Sequence, residues 1–210
     1  MHNVIDEISE NNNWRDGEFA KYKTNSLNVE EQLWCRMCVP MIYAHWEGFV
    51  VDALKIMLKH LNELNLNSSH LSPNLVVVSL SDTYKKLSGK QSFQQRVDFT
   101  NSFNQRLSQP VKFDIKIDTK SNLKSNVFND LCIAFNFDST KFKSQLIDID
   151  RLVHIRNSIA HGENAIQPDM TNIIKYISAV REAMDLLLYE IDDYLGSQRY
   201  LSEPTNNCSN

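Results

Sequence analysis

The sequence predicts an all-α fold, a bundle of five or six helices with a short extended or β insertion near residues 110–120. Apolar residues recur at steps of three and four over long stretches, as the buried face of an amphipathic helix requires. The 210-residue chain has only five glycines and five prolines, which favours long helices over many turns. Only residues 111–118 alternate strictly between apolar and polar side chains, as an extended segment does.

Length and composition fit one domain, or at most two small ones. The chain is 42% hydrophobic and 23% charged, which is ordinary for a globular protein. We predict an N-terminal segment, 1–26, with a short helix and a loop, followed by a helical domain, 27–196. The polar tail, 197–210, is expected to fray.

The helical domain opens with a long apolar pattern that runs to about Leu66. Asn28 is the expected N-cap, and Pro40 is expected to kink or break the helix. The second half of the pattern carries one broad apolar stripe: Tyr43, Trp46, Val50, Ala53, Leu54, Met57, Leu58, Leu61 and Leu64. Glu47 lies inside this stripe, where a charge needs a partner.

The remaining periodic patterns predict five further helices: 73–88, 91–109, 127–137, 142–160 and 168–196. Pro110 ends the second of them, and Pro168 with Asp169 is a suitable start for the last. The apolar stripe of the last helix suits packing in a bundle or against a second copy.

Charge is unevenly distributed along the chain, although the net charge is −4. Residues 83–126 carry nine Lys and Arg side chains against three Asp and Glu, and both flanking regions are acidic. Such a basic middle segment is a footprint for phosphate. A solvated lysine-rich surface explains it equally well.

The sequence offers no secretory signal and no apolar run of the roughly 18 residues that a membrane span needs. We therefore expect a cytoplasmic protein with no membrane contact. Cys35 and Cys38 superficially match a thioredoxin-type redox motif, but they lie inside a helical pattern, and no second pair completes a zinc site. Packing of buried cysteines is the better interpretation, and neither a metal nor a cofactor is expected.

The most informative stretch is Asp148–Glu163, which reads D-I-D-R-L-V-H-I-R-N-S-I-A-H-G-E and is ended by Gly162. On a helical projection the apolar residues share one arc, and four polar residues share the opposite one: His154, Asn157, Ser158 and His161. Arg156 falls near the middle of the apolar arc, where a guanidinium needs an anionic partner. We expect it to face Glu47 or to share a polar pocket with it; a purely structural ion pair is the alternative.

An arginine and a histidine suffice for metal-free cleavage of RNA, in which the 2′-hydroxyl of the substrate is the nucleophile. Arginine binds and neutralises phosphate, and histidine transfers protons near neutral pH. Positions five apart on one helix are separated by about 140° and about 7.5 Å along the axis. Arg156 and His161 therefore converge poorly on one helix unless its end unwinds at Gly162. Two copies related by a two-fold axis would form a better, composite cleft.

Two segments resemble a known superfamily. The pattern I-D-x-L-V-x-x-R-N-x-I-A-H-G, together with Y-A-H-W-E-G-F at 43–49, is similar to the HEPN superfamily, in particular its nucleases of the RiboL-PSP or MAE type. The resemblance extends over roughly 30–195 in layout. It implies an all-α HEPN-like bundle, usually dimeric, and a metal-independent endoribonuclease of the kind found among toxins and antiphage defence effectors. The implied products are a 2′,3′-cyclic phosphate and a 5′-hydroxyl.

The resemblance also implies roles for individual residues. His161 would be the general acid and base, Arg156 would stabilise the phosphate, and Asn157 would orient one of them. Glu47 would position Arg156. Ser158 and His154 are further candidates for substrate contact.

One difference from a HEPN subgroup and one alternative function limit what the resemblance implies. One HEPN subgroup has a Tyr two positions after the His, where this chain has Glu163, so regulation through that Tyr is not expected. Some HEPN domains lack activity, so a non-catalytic module that binds RNA, nucleotide or a partner protein is the alternative. The expected partners are RNA, a second copy, and an antitoxin or defence-system protein.

Overall fold

The computed structural model describes residues 4–80 and 90–202, which form eight α-helices and confirm the all-α class. The helices are α1 Val4–Asn12, α2 Trp14–Thr24, α3 Glu31–Glu63, α4 Pro73–Leu80, α5 Phe93–Leu107, α6 Ser125–Phe135, α7 Lys143–Ala160 and α8 Met170–Gly196. The count exceeds five or six in part because the N-terminal segment folds into two helices instead of one. The end of the helix expected at 73–88, with Lys85 and Lys86, lies outside the described residues.

Helix α3 is the longest of the described helices. Its start differs from the expected one. Asn28 ends a preceding 3₁₀ turn, and Glu30 is the N-cap, accepting hydrogen bonds from the backbone N–H groups of Gln32 and Leu33, both at 3.2 Å. The helix also runs through Pro40 without a break. The break is avoided although proline leaves one carbonyl of the preceding turn without its helical donor.

The core is built where α3, α7 and α8 pack against one another. Aromatic rings join α6 to it: the rings of Trp46 and Phe128 lie 5.3 Å apart, and those of Phe128 and Phe142 lie 4.8 Å apart. Helix α1 packs on α3 and α8, and α2 does the same. Ile8 and Phe19 are buried there, so the N-terminal helices belong to the same hydrophobic core.

The segment 111–119 is extended and forms no β-strand with any other part of the described chain. It runs antiparallel along α3: the side-chain amide of Asn62 makes two hydrogen bonds to the backbone of Phe113, at 2.7 and 3.1 Å, and the hydroxyl of Thr119 donates to Glu47. The fifteen helical positions from Glu47 to Asn62 span about 22 Å. The six extended positions from Phe113 to Thr119 cover about 20 Å, so the two segments match in length. The alternating pattern thus predicted an extended backbone correctly, but its partner is a helix.

The C-terminal segment folds back onto the bundle. The backbone N–H of Ser72 donates to the carbonyl of Tyr200 at 2.9 Å, and that of Ser202 donates to the carbonyl of His70 at 2.9 Å. The side chain of Tyr200 is buried. The expected fraying is therefore wrong for 197–202, and the rest of the tail lies outside the described residues.

The Cys35–Cys38 pair is buried inside α3, as the packing interpretation predicted. Burial raises the pKa of both thiols, that of Cys38 to about 11, which opposes formation of the reactive thiolate. Across 4–80 and 90–202, no group of three His, Cys, Asp or Glu side chains is arranged to hold a metal ion. No helix in the same part of the chain is both long and apolar enough to cross a bilayer.

Candidate active site

Helix α7 keeps its regular geometry to its last residue. Gly162 has φ of +78°, and its N–H donates to the carbonyl of Ile159 at 3.0 Å, while the N–H of Glu163 donates to the carbonyl of Ser158 at 2.9 Å. These two bonds form a Schellman motif. The N–H of His161 still makes the helical bond to the carbonyl four residues earlier, at 3.0 Å. The helix end does not unwind.

Arg156 and His161 consequently diverge within one chain, by about 140° around the axis and about 7.5 Å along it. The side chain of His161 is exposed. It makes no hydrogen bond, ion pair or ring contact with any other described residue. One copy therefore presents the imidazole to solvent and holds the guanidinium on a different face.

Three contacts hold the half-buried guanidinium of Arg156. Its Cζ lies 3.9 Å from the ring centroid of Tyr43, Nη1 donates to Oδ1 of Asn157 at 2.8 Å, and Nη2 donates to the carbonyl of Ser121 at 3.1 Å. Guanidinium carries five N–H groups. Two are used by these bonds, and the other three are uncommitted among the described residues.

Glu47 does not pair with Arg156, contrary to one of the two expected arrangements. No ion pair within 4.0 Å joins them in the described chain; Oε1 of Glu47 instead accepts a hydrogen bond from the hydroxyl of Thr119. Both charges act on Tyr43. Burial raises the pKa of Tyr43 to about 12; the carboxylate of Glu47 adds to the rise, whereas the N–H of Leu123 and the charge of Arg156 oppose it.

The 119–123 loop covers this side of the site. The amide of Asn157 donates to Oδ1 of Asn122 at 3.1 Å. The backbone N–H of Leu123 donates to the hydroxyl of Tyr43 at 2.9 Å, and its carbonyl accepts from Nε1 of Trp46 at 3.1 Å. Sequence reasoning missed this loop. Its only signal was the polar run at 119–122, which is typical of a turn.

The other candidate residues differ in exposure. The side chain of Ser158 is buried, so its position argues against the substrate contact expected of it. His154 is exposed and lines an open surface cavity of about 460 Å³ whose wall includes Ile155, Ile166 and Tyr176. A role for His154 toward substrate stays a prediction.

Arg36 ties the turn after His161 to α3. Its Nη2 donates to the carbonyl of Glu163 and its Nη1 to the carbonyl of Ile166, both at 2.9 Å. Three apolar side chains near Arg36 on α3 are about half exposed: Leu33, Met37 and Met41. They follow one another at intervals of four residues, so they form an apolar stripe on α3, next to the helical position that anchors the turn.

An all-α bundle with an arginine and a histidine at the end of one core helix is consistent with the HEPN class of domains. The sequence matches the RiboL-PSP-HEPN family model over residues 10–193. The chain belongs to this family. No curated protein and no solved structure matches it. Family membership points to a nuclease or another RNA-related role as the coarse functional class.

Proposed function

We propose that the protein is a metal-independent endoribonuclease, in which Arg156 binds the scissile phosphate and His161 transfers protons. The observation that carries the proposal is the state of these two side chains. Arg156 is held in one orientation with three N–H groups uncommitted, and His161 is exposed without any partner in the described chain. Both occupy the positions that the resemblance to HEPN nucleases implies for the catalytic pair.

The proposed chemistry uses the RNA, these side chains and a proton source for the leaving group. The 2′-oxygen of the substrate attacks phosphorus while the bond from phosphorus to the 5′-oxygen breaks. The imidazole of His161 takes the proton of the 2′-hydroxyl, and the departing 5′-oxygen takes a proton from solvent or from the second histidine of a dimer. Arg156 donates N–H groups to the non-bridging oxygens, where negative charge develops. The products are a 2′,3′-cyclic phosphate and a 5′-hydroxyl.

Two copies complete the site in this proposal. Because Arg156 and His161 diverge on one helix, Arg156 of one copy works with His161 of the other across a two-fold axis. The exposed stripe of Leu33, Met37 and Met41 supports this arrangement, since it offers apolar surface on the helix that anchors the turn after His161. An RNA substrate agrees with the cytoplasmic location that the sequence predicts. An antitoxin or defence-system partner would act by covering the same face.

A non-catalytic module that binds RNA, nucleotide or a protein partner is the second candidate. It is favoured by two observations: Arg156 already donates two hydrogen bonds within the protein, and the net charge of −4 weakens attraction to RNA. Binding without cleavage distinguishes this candidate from the nuclease.

The test is incubation of labelled RNA with purified protein in EDTA, with Arg156→Ala and His161→Ala beside the wild type. We expect cleavage that survives chelation, ends in a cyclic phosphate, and falls by about 100-fold or more in both variants. The matched controls are Arg151→Ala, an exposed arginine on the same helix, and His70→Ala, an exposed histidine elsewhere. Equal cutting by all variants would contradict the proposal, and retention of RNA without cutting would support the non-catalytic module.

A further inference from the structure

We propose that Tyr43 is the positioning residue for Arg156, acting through its ring on the guanidinium and through its hydroxyl on the 119–123 loop. This inference rests on the proposed nuclease function and deepens it. It names the group that determines which N–H groups of Arg156 meet the substrate.

The buried ring of Tyr43 packs against the guanidinium of Arg156. The guanidinium carbon lies 3.9 Å from the ring centroid, within the range of a close cation–π contact. Only 2% of Tyr43 is exposed, and it lies in the middle of the long core helix α3. The ring therefore has little freedom to move, and the guanidinium lies against a surface that stays in place.

The hydroxyl of Tyr43 acts on the same guanidinium from a second direction. It accepts the backbone N–H of Leu123 at 2.9 Å, and two residues earlier the carbonyl of Ser121 accepts an N–H of Arg156 at 3.1 Å. Lys120 and Ser121 have φ values of +55° and +48°, a conformation that residues other than glycine adopt at a cost. The loop needs anchors to hold this shape, and the hydroxyl of Tyr43 is one of them.

The ring contact and the loop contact together fix the orientation of the guanidinium as well as its position. The bonds to Asn157 and Ser121 each use one terminal N–H, so the N–H at Nε and one N–H on each terminal nitrogen have no partner among the described residues and can meet phosphate. A rate that depends on alignment is sensitive to small displacements of such a group, whereas attraction of its charge to RNA is not. Loss of Tyr43 should therefore lower kcat more than it raises KM.

The experiment compares Tyr43→Phe and Tyr43→Leu with Tyr200→Leu, a buried tyrosine at the far C-terminal segment, as the control for lost packing. We expect kcat to fall by about 100-fold in Tyr43→Leu with KM changed less than about threefold. Tyr43→Phe keeps the ring but loses the bond to Leu123, so its kcat should lie between those of Tyr43→Leu and the wild type. An equal fall in Tyr200→Leu, or a kcat within twofold of wild type in Tyr43→Leu, would overturn the inference.

A second measurement does not depend on activity. In NMR spectra of the wild type, the Nε–H proton of Arg156, assigned by its loss in Arg156→Lys, should be displaced by the ring current of Tyr43. The displacement should persist in Tyr43→Phe and disappear in Tyr43→Leu. If the wild type cuts no RNA, the nuclease proposal fails while this spectrum still decides the positioning. An unchanged Arg156 signal in Tyr43→Leu would refute the positioning itself.

Discussion

In the described part of the chain, two arginine–histidine sets each have their arginine against a side chain of α3, and they differ in how many of their polar groups have partners. In the first set, Arg15 and His45 are buried, and Nη1 of the arginine lies 3.4 Å from Nδ1 of the imidazole. In the second set, Arg156 is half-buried and His161 is exposed. The same residue types stabilise the fold where every side-chain nitrogen has a partner, and they are available for chemistry where some nitrogens have none among the described residues.

Each side-chain nitrogen of the buried set has a partner in the described chain. Arg15 also donates to Asn12 at 2.7 Å and to Asp52 at 3.1 Å. Because arginine only donates, Nδ1 of His45 accepts, and the proton on Nε2 faces the hydroxyl of Tyr22 at 3.0 Å and Oε2 of Glu18 at 3.1 Å. Burial lowers the pKa of His45, and the charge of Arg15 lowers it further against the opposing effect of Glu18. Both effects favour the neutral imidazole, in which the contact with Glu18 is a hydrogen bond and not an ion pair.

The largest expected effect separates the two histidines. His161→Ala should reduce RNA cleavage by about 100-fold or more, because it removes the proton-transfer group, and should leave thermal stability nearly unchanged. His45→Ala should do the reverse, costing about 2–4 kcal/mol of stability while the folded fraction keeps its activity. Cleavage assays and urea unfolding of both variants measure this. A catalytic loss in folded His45→Ala equal to that in His161→Ala would abolish the distinction.

The two arginines should differ next. Arg15→Ala leaves the buried groups of Asn12 and His45 without their donor and should cost about 2–3 kcal/mol, discounted because Asp52 is half exposed. Arg156→Ala loses one ring contact and two hydrogen bonds, of which one is part-buried and one exposed, and should cost about 1 kcal/mol. Urea midpoints at constant m-value measure the difference. Equal costs would show that Arg156 is as much a structural residue as Arg15.

The pH dependence of stability should trace to His45. Its pKa is lowered in the folded state, so the unfolded chain binds the extra proton as the pH falls below about 6.5, and the free energy of unfolding decreases there. Above that pH the contribution is fully present. Unfolding curves between about pH 5.5 and 7.5 should slope in the wild type and flatten in His45→Gln. A slope that persists unchanged in His45→Gln would assign it to another group.

The smallest effect tests the packing around Arg15. A Cβ added at Gly48 would lie 3.1 Å from Nη2 and 3.2 Å from Nη1 of Arg15, whereas a Cβ added at Gly17 meets nothing within 4 Å. Gly17→Ala should therefore stabilise its helix by about 0.5–1 kcal/mol. Gly48→Ala should gain less, or lose, because the bonded guanidinium must shift. Equal gains in thermal unfolding would mean that Arg15 moves freely.

Much of this could be predicted from sequence because it depends on local pattern. The 3.6-residue period indicated α7 and α8 nearly to their ends, and Gly162 marked the end of α7 through its positive φ. The conflict between a charge and an apolar arc singled out Arg156. Each signal lies within a few residues of the feature that it predicts.

The contacts that complete the site could not be predicted in this way. The hydroxyl of Tyr43 meets the backbone of Leu123 across 80 positions of the chain, and the left-handed residues of the loop, Lys120 and Ser121, carry no glycine signal. Glu47 is bonded to Thr119, at the end of the extended segment, whereas one of the two arrangements expected from the sequence paired it with Arg156. His45, inside the recognised 43–49 motif, gave no local sign that it is the centre of a buried network.

The most direct test of the central claim is to mix Arg156→Ala with His161→Ala, each inactive alone, under conditions in which subunits exchange. If the guanidinium of one copy works with the imidazole of another, mixed dimers contain one intact pair, and random mixing should restore about a quarter of wild-type cleavage. Product analysis should again find the cyclic phosphate in EDTA. Proven subunit exchange without any recovery of cleavage would contradict a shared site.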